Sequence, residues 1–265
     1  MRNRIFYFLL IGTLLPGILS AQFFSTREIG KKAQWAGTKF AATCNGFLYT
    51  IDSSNKLVRS NLSTGEMALV NDQLYGNSIR LWGGGKNLFT LEKDGSLYRT
   101  HPESGQWSIL GKAGDWINTL LAVPVYGYLY SVEVNGTLYA TNVNTGNYIP
   151  LGKPDFSGCK AIYETGGNLY LIGAKEDLLK VNEADGSWEQ ILAPQSLTNT
   201  MTGAVISGKL YILENDGSLI RYEVPSGIKT VLGKLSGHPP VFLMAAGVKL
   251  YLLDSGGTLQ EISFL

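Results

Sequence analysis

Four lysines and several bulky side chains recur at matching places along the sequence, where they could bind a ligand. Each lysine follows a glycine that ends a predicted strand: Lys31, Lys112, Lys153 and Lys234. Trp35, Trp116 and Phe156 come a few residues after three of these lysines, and His238 comes after the fourth. An aromatic face can stack on a sugar ring while an ammonium group meets its hydroxyls, which makes these residues candidates for ligand-binding sockets. The alternative is that the aromatic residues pack in the core and that the lysines are solvated turn residues.

Acidic residues form a second repeated set, three residues after the aromatic residue of a Gly-x-Leu-Tyr pattern. The positions are Asp52, Glu92, Glu133, Gly173 in place of an acid, Glu214 and Asp254. A ring of carboxylates could hold a cation through oxygen ligands. We favour the simpler interpretation, in which polar residues end a strand before a hairpin and stand too far apart to share one ion. The sequence therefore predicts no metal site.

The sequence contains little that indicates catalysis. The two histidines, His101 and His238, lie in different repeats and lack the spacing of metal ligands. No nucleophile elbow, phosphate-binding glycine loop or CxxC pair is present. We therefore expect no catalytic residue, no cofactor and a protein that is not an enzyme. The alternative is a hydrolase or lyase with convergent carboxylates or histidines at the mouth of a central channel.

These candidate residues lie in a repeat of about 40 residues. Its aromatic anchors are Tyr49, Phe89, Tyr130, Tyr170, Tyr211 and Tyr251, at spacings of 40, 41, 40, 41 and 40 residues. Each copy contains four short apolar segments separated by turn residues such as Asn135-Gly136, which indicates four strands joined by tight turns. A period near 40 with four strands per unit is typical of β-propeller blades.

Both faces of the predicted strands are apolar, and the last repeat is incomplete. In Lys209–Leu213, alternate residues point to opposite faces and are apolar on both, so both faces must be covered. The sixth copy stops without its outermost strand, and residues 26–31 resemble the missing segment. We predict an all-β fold over residues 22–265, a six-bladed propeller whose last blade is closed by the N-terminal strand. An open array or another blade count is the alternative.

The links between repeats resemble those of tectonin/tachylectin-type β-propellers. Leu110-Gly-Lys-Ala-Gly-Asp-Trp116 precedes Gly127-Tyr-Leu-Tyr-Ser-Val, and Ile29-Gly-Lys-Lys-Ala-Gln-Trp35 precedes Gly46-Phe-Leu-Tyr-Thr-Ile. The resemblance implies binding of carbohydrate or cell surfaces through loops between blades. Phe156 replaces the tryptophan in one link, and residues 71–76, 193–199 and 234–240 diverge from the pattern.

The first residues and the charge balance indicate export and limit the partners. We predict a cleaved signal peptide over residues 1–21. Its features are the positive charges of Arg2 and Arg4, an apolar run from Ile5 to Leu15 and small residues at 20–21. We expect a secreted or periplasmic protein without a membrane span in the mature chain. The net charge of +1 gives no basic excess for nucleic acid. Cys44 and Cys159 are too few for a disulfide-built fold, and we expect two free buried thiols.

Together, these features favour a non-enzymatic recognition module for a glycan or cell-surface polymer, with ligand contacts in the loops between blades. The alternative is a protein-interaction scaffold that uses one rim of the disc. The divergent loops at 71–78 and 193–199 favour that alternative, because a protein partner needs a surface without symmetry.

Overall fold

The computed structural model describes residues 23–224 and 226–265, and these residues form twenty-four β-strands. The strands make six antiparallel sheets of four. The first strand of each sheet contacts the first strands of both neighbouring sheets, which closes a ring. The six-bladed propeller predicted from the repeat is confirmed. The predicted signal peptide, residues 1–21, lies outside the described residues.

Each blade uses four strands in order from the axis outward, and we number the strands along the chain. The innermost strands are β2 (Phe40–Cys44), β6 (Ser78–Gly84), β10 (Thr119–Val125), β14 (Ala161–Thr165), β18 (Thr200–Ile206) and β22 (Pro240–Ala246). The second strands are β3 (Phe47–Ile51), β7 (Asn87–Glu92), β11 (Tyr128–Glu133), β15 (Asn168–Ile172), β19 (Lys209–Glu214) and β23 (Lys249–Asp254). The third strands are β4 (Leu57–Asn61), β8 (Leu97–Thr100), β12 (Leu138–Asn142), β16 (Leu178–Asn182), β20 (Ser218–Glu223) and β24 (Leu259–Phe264). The outermost strands are β5 (Met67–Leu69), β9 (Trp107–Ile109), β13 (Tyr148–Leu151), β17 (Trp188–Leu192), β21 (Ile228–Lys234) and β1 (Phe24–Ile29).

Blade 6 is closed by the N-terminal strand, as predicted. β1 pairs with β24 along its whole length, from Phe24 opposite Phe264 to Ile29 opposite Leu259. The side chains of Phe24 and Ile29 are buried. Closure therefore both satisfies the open edge of β24 and buries apolar surface.

The hydrophobic core lies between the blades. In β19, Leu210 and Ile212 pack in one cluster with residues of blade 4 such as Tyr170, whereas Tyr211 and Leu213 pack in another with residues of blade 6. Each strand thus contributes to two interfaces, because alternate side chains point to opposite faces. Burial of each such side chain stabilises the folded state by roughly 1.5–3 kcal/mol.

The disc has two rims with different loops, because neighbouring strands run antiparallel. We call the link from the outermost strand of one blade to the first strand of the next a join. The join rim carries the joins and the turns between second and third strands. The hairpin rim carries the turns between first and second strands and between third and fourth strands. The candidate ligand-binding residues predicted from the sequence belong to joins, except Lys234, which ends β21 directly before a join, so all of them lie at the join rim.

Two further expectations concern cysteines and membranes. Cys44 and Cys159 are free and buried, and burial raises the pKa of each thiol to about 11. Both thiols are therefore protonated at neutral pH. The described residues contain no long apolar helix of the kind that crosses a bilayer.

Candidate binding sockets between the blades

One residue of every join is held between two blades by the same backbone hydrogen bond. Its N–H donates to a carbonyl oxygen in the turn between the second and third strands of the preceding blade, at 2.8–3.1 Å. We call these the plug residues: Trp35, Tyr75, Trp116, Phe156, Leu197 and Leu235. The first five are buried and Leu235 is half-buried. The plug side chains therefore serve first to pack successive blades together.

The carbonyl that accepts this bond belongs in every blade to a residue with positive φ. The acceptors are Asn55, Gly95, Gly136, Glu176, Gly217 and Gly257. At Gly257 a Cβ atom would lie 2.2 Å from the backbone nitrogen of Ala36, so no side chain fits. The glycine of this turn thus permits both the left-handed backbone and the close approach of the join.

The structure separates the eight predicted ligand-binding residues. The side chains of Trp35 and Phe156 are buried between blades, and a ligand-binding role for them stays a prediction. Trp116 is 7% exposed and reaches a cavity with only a small part of its ring. Lys31, Lys112 and Lys153 are exposed in three separate joins. Lys234 and His238 line a common cavity, and a ligand-binding role for Trp116, the lysines and His238 stays a prediction.

The space between a join and the blade that follows it forms a socket, and its floor differs around the ring. Two buried positions, one in the second strand and one in the third, form this floor. In blades 1–3 they are hydroxyl residues: Thr50 and Ser60, Thr90 and Thr100, and Ser131 and Thr141. In blades 4–6 they are Leu171 and Val181, Ile212 and Tyr222, and Leu252 and Ile262.

The socket of blade 3 encloses a cavity of about 80 Å³ with aromatic walls. Trp116, Tyr139, Tyr148 and Glu133 line it. The rings of Tyr139 and Tyr148 lie 5.6 Å apart with planes at 82°, which forms a corner. Below them the hydroxyl oxygen of Thr141 is buried and has no hydrogen-bond partner among the described residues.

The socket of blade 2 repeats this arrangement in a cavity of about 250 Å³. Tyr75, Tyr98 and Trp107 form its aromatic walls and Glu92 supplies the carboxylate. The rings of Tyr98 and Trp107 are 5.2 Å apart, again at 82°. Burial, with a smaller contribution from the charge of Asp94, raises the pKa of Glu92. The site thus disfavours an isolated negative charge.

The socket of blade 6 is the most open of the three. Two adjoining cavities of about 280 and 760 Å³ lie along residues 235–238, and His238, Asp254 and Gln260 line both. Asp254 is only 6% exposed, and its Oδ1 accepts a hydrogen bond from the Thr258 backbone at 2.9 Å. Lys234, which lines the larger cavity, forms an ion pair with Asp216 at 3.1 Å.

The blade 6 socket is open because its join folds differently. In the other five joins the carbonyl of the plug residue accepts a hydrogen bond from the residue three positions later, which forms a compact turn. The join after Leu235 makes no such turn and runs through Gly237 to His238, whose ring lies against Gly256. A half-buried plug and an extended loop therefore leave room that a buried plug residue fills in the other joins.

The repeated acids face their own sockets rather than one shared centre. Asp52 accepts hydrogen bonds from the backbone N–H groups of Ser54 and Lys56. The carboxylate oxygen Oε1 of Glu214 lies 3.9 Å from Lys229 Nζ. Glu92 and Glu133 line the sockets of blades 2 and 3. The described residues contain no cluster of three His, Cys, Asp or Glu side chains that could bind a metal ion.

Sequence reasoning missed the plug residues of the divergent joins and the hydroxyl floor. Tyr75, Leu197 and Leu235 could have been found from their place three to five residues before the next innermost strand. Thr50, Thr90 and Ser131 recur at 40 and 41 residues, which was visible in the sequence. The openness of the last join had no comparable signal.

The sequence matches no protein-family model. It matches no curated protein either. Several solved structures are similar in fold. PorZ, an essential bacterial surface component of the type-IX secretion system of Porphyromonas gingivalis, aligns over 89% of this chain with a TM-score of 0.56 and 12% identity. This chain spans 34% of that PorZ chain.

Two further structures align over most of both chains. An auxiliary nutrient binding protein from Bacteroides thetaiotaomicron aligns over 87% of this chain and 69% of its own, with a TM-score of 0.65 and 13% identity. A streptogramin B lyase aligns over 91% of this chain and 98% of its own, with a TM-score of 0.60 and 9% identity. At such identities the comparisons show the propeller fold alone. They do not extend to the tectonin/tachylectin family, so that resemblance stays one of repeat pattern.

Proposed function

We propose that this protein is a non-enzymatic binding module of the cell envelope or exterior that recognises a glycan through the blade 6 socket. The observation that carries the proposal is the join at residues 235–239, which leaves a cleft of glycan size where the other joins form compact turns. Sites for ligands of drug size occupy roughly 300–1,000 Å³.

The lining of this cleft suits a ligand with many hydroxyl groups. Asp254 and Glu28 offer carboxylate acceptors, Lys32 and Lys234 offer donors, and Gln260 offers both. A glycan hydroxyl both donates and accepts hydrogen bonds, so a mixed lining can satisfy several of them at once. The half-buried Leu235 gives the cleft an apolar contact for a ring face.

An exported location is part of the same proposal. The predicted signal peptide at residues 1–21 supports it. The fold is also shared with PorZ, a surface component of a secretion system, and with an auxiliary nutrient binding protein.

A glycan array on the chain from residue 22 to 265 tests the proposal, followed by calorimetry with the best ligand. His238→Ala and Gln260→Ala should each weaken binding about tenfold or more, because each removes a hydrogen-bonding group from the cleft. His101→Ala is the matched control, since His101 is exposed at the hairpin rim. An array without binding, or equal losses in the control, would refute the glycan site.

A protein-interaction scaffold is the second candidate function, and the outermost strands favour it. Leu69, Trp107, Ile109 and Ile149 lie in the outermost strands of blades 1–3, and roughly half of each side chain is exposed. These strands also have an unpaired edge that a partner strand could extend. Crosslinking in cells should trap a partner that Ile109→Lys and Ile149→Lys together release. Unchanged crosslinking in that double variant would exclude this surface.

A further inference from the structure

We propose that the sockets of blades 2 and 3 are two matched sites for an organic ammonium group. These sockets are distinct from the glycan cleft of blade 6, so the inference goes beyond the proposed function. It depends on the aromatic walls, the unpaired carboxylates and the buried hydroxyl of Thr141.

The aromatic walls provide the attraction. Three aromatic residues line each cavity: Trp116, Tyr139 and Tyr148 in blade 3, and Tyr75, Tyr98 and Trp107 in blade 2. In both sockets two of the rings meet at 82°. Rings arranged around a small cavity attract a cation through the negative charge of their faces, and such cages bind quaternary ammonium groups.

The charges lining the two sockets have one sign. Glu133 and Asp115 line the cavity of blade 3 and Glu92 lines that of blade 2, whereas no lysine, arginine or histidine lines either. Neither glutamate forms an ion pair or a side-chain hydrogen bond within residues 23–224 and 226–265. In blade 2, a bound cation would neutralise the carboxylate of Glu92, whose charged form burial disfavours.

The floor of the blade 3 socket holds an unsatisfied polar atom. Thr141 is 1% exposed, and its hydroxyl lacks a partner among the described residues. In blade 1 the matching hydroxyl of Ser60 accepts a hydrogen bond from Trp35 Nε1 at 3.0 Å. In blade 3 the corresponding Trp116 Nε1 donates to the carbonyl of Leu110 instead, also at 3.0 Å. An ammonium N–H could donate to the hydroxyl that Trp116 leaves free.

The remaining blades lack one or more of these features, which provides internal controls. Blade 1 has Val58 and Met67 where blades 2 and 3 have aromatic pairs. Blade 4 has Leu179 and Gly173 in place of the tyrosine and the glutamate, and its Trp188 donates a hydrogen bond to Asp155 at 2.9 Å. Trp188 thus matches Tyr148 in position but does not belong to a cage.

Calorimetric titration of the chain from residue 22 to 265 tests the inference, with three small probes. Ethanolamine carries a primary ammonium group, choline a quaternary one, and 3,3-dimethyl-1-butanol is the neutral counterpart of choline. Two saturable sites should appear for at least one cation, and the neutral alcohol should bind at least about fivefold more weakly. Stronger binding of ethanolamine would assign the N–H contact to Thr141, and stronger binding of choline would assign the affinity to the rings.

Variants locate the sites. Glu133→Gln should lower the stoichiometry from two to one, and Glu92→Gln combined with it should abolish binding. Tyr148→Leu should act like Glu133→Gln, whereas Trp188→Leu should leave both sites intact. Melting curves and binding at the blade 6 cleft show that each variant is folded. Equal binding of the neutral alcohol, no saturable binding of either cation, or equal effects of Tyr148→Leu and Trp188→Leu would overturn the inference.

Discussion

The sockets of blades 3 and 6 occupy the same place in the repeat but differ in almost every property. In blade 3 a buried tryptophan fills the join, the floor carries hydroxyls, and a cavity of about 80 Å³ remains. In blade 6 a half-buried leucine replaces the tryptophan, the floor is apolar, and the larger cavity is about 760 Å³.

This difference separates what the repeat must keep from what it can vary. Both joins keep the hydrogen bond from the plug residue to a turn carbonyl, Trp116 to Gly95 and Leu235 to Gly217. The size of the plug and the residues after it then decide how much space remains. Stability thus constrains the backbone contacts of the join, whereas binding properties follow from its side chains.

The closure of blade 6 should give the largest effect, because blade 3 is one continuous segment and blade 6 is not. Deleting residues 24–29 removes the buried Phe24 and Ile29, which together contribute roughly 3–6 kcal/mol. We expect a large fall in melting temperature. Ser25→Ala, at an exposed position of the same strand, is the control and should change little. An unaltered melting transition after the deletion would contradict closure by β1.

The two plug residues should differ in their contribution to stability. Trp116→Ala should lower the free energy of unfolding by about 3–5 kcal/mol, since it leaves a cavity at a buried site. Leu235→Ala should cost only about 1–2 kcal/mol, since the side chain is half-buried. Urea denaturation of both variants, with unchanged m-values, measures the difference. Equal losses would mean that the join of blade 6 is as tightly packed as that of blade 3.

Glu261 lies in the third strand of blade 6. The matching residue is Arg or Lys in four of the other blades and Ala140 in blade 3. The carboxylate of Glu261 forms two ion pairs. Its Oε2 lies 2.8 Å from Arg27 Nη2 of β1, and its Oε1 lies 2.7 Å from Lys249 Nζ. Burial alone would raise the pKa of Glu261, but hydrogen bonds from Lys249, Arg27 and Ser263 outweigh it and lower the pKa. Its stabilising effect is therefore present above the unfolded pKa, about 4.3, and is lost as pH falls through the folded value.

Glu261→Gln should cost about 1–2 kcal/mol at pH 7 and weaken the loss of stability on acidification. Melting curves between pH 7 and pH 3 measure both effects. Lys180→Gln is the control, because Lys180 pairs with the exposed Glu189 in a continuous blade and should contribute little. If the melting temperatures of the wild type and Glu261→Gln depended on pH in the same way, the ion pair between Arg27 and Glu261 would not stabilise the closure of blade 6.

The smallest effect concerns the carboxylate of the blade 2 socket. The folded pKa of Glu92 is raised, so the folded chain binds a proton more readily and its stability increases as pH falls toward the unfolded pKa. Above the folded pKa the ionised group costs stability, and Glu92→Gln should therefore raise the melting temperature slightly at pH 7. Asp254→Ala in the blade 6 socket should lower it, since this change removes the oxygen that accepts a hydrogen bond from the Thr258 backbone. A destabilising Glu92→Gln would show that the carboxylate has a structural partner.

The sequence predicted the blade count and the closing strand because both follow from local patterns. The anchors from Tyr49 to Tyr251 recur at a fixed period, and residues 26–31 resemble an outermost strand. The role of Trp35 was harder to predict, because its burial depends on the turn at Gly257, more than 200 residues away along the chain. The blade 6 cleft depends on the path of residues 235–239, and no periodic pattern describes a single divergent loop.

The pairing of β1 with β24 also has a consequence for the order of folding. Arg27 and Glu261 meet across 234 residues, so the contact that closes the ring joins the first strand of the propeller to its last. A nascent chain can assemble its middle blades early, since each uses neighbouring segments. It cannot complete the circle until synthesis has reached β24, and non-local pairing of this kind is slow.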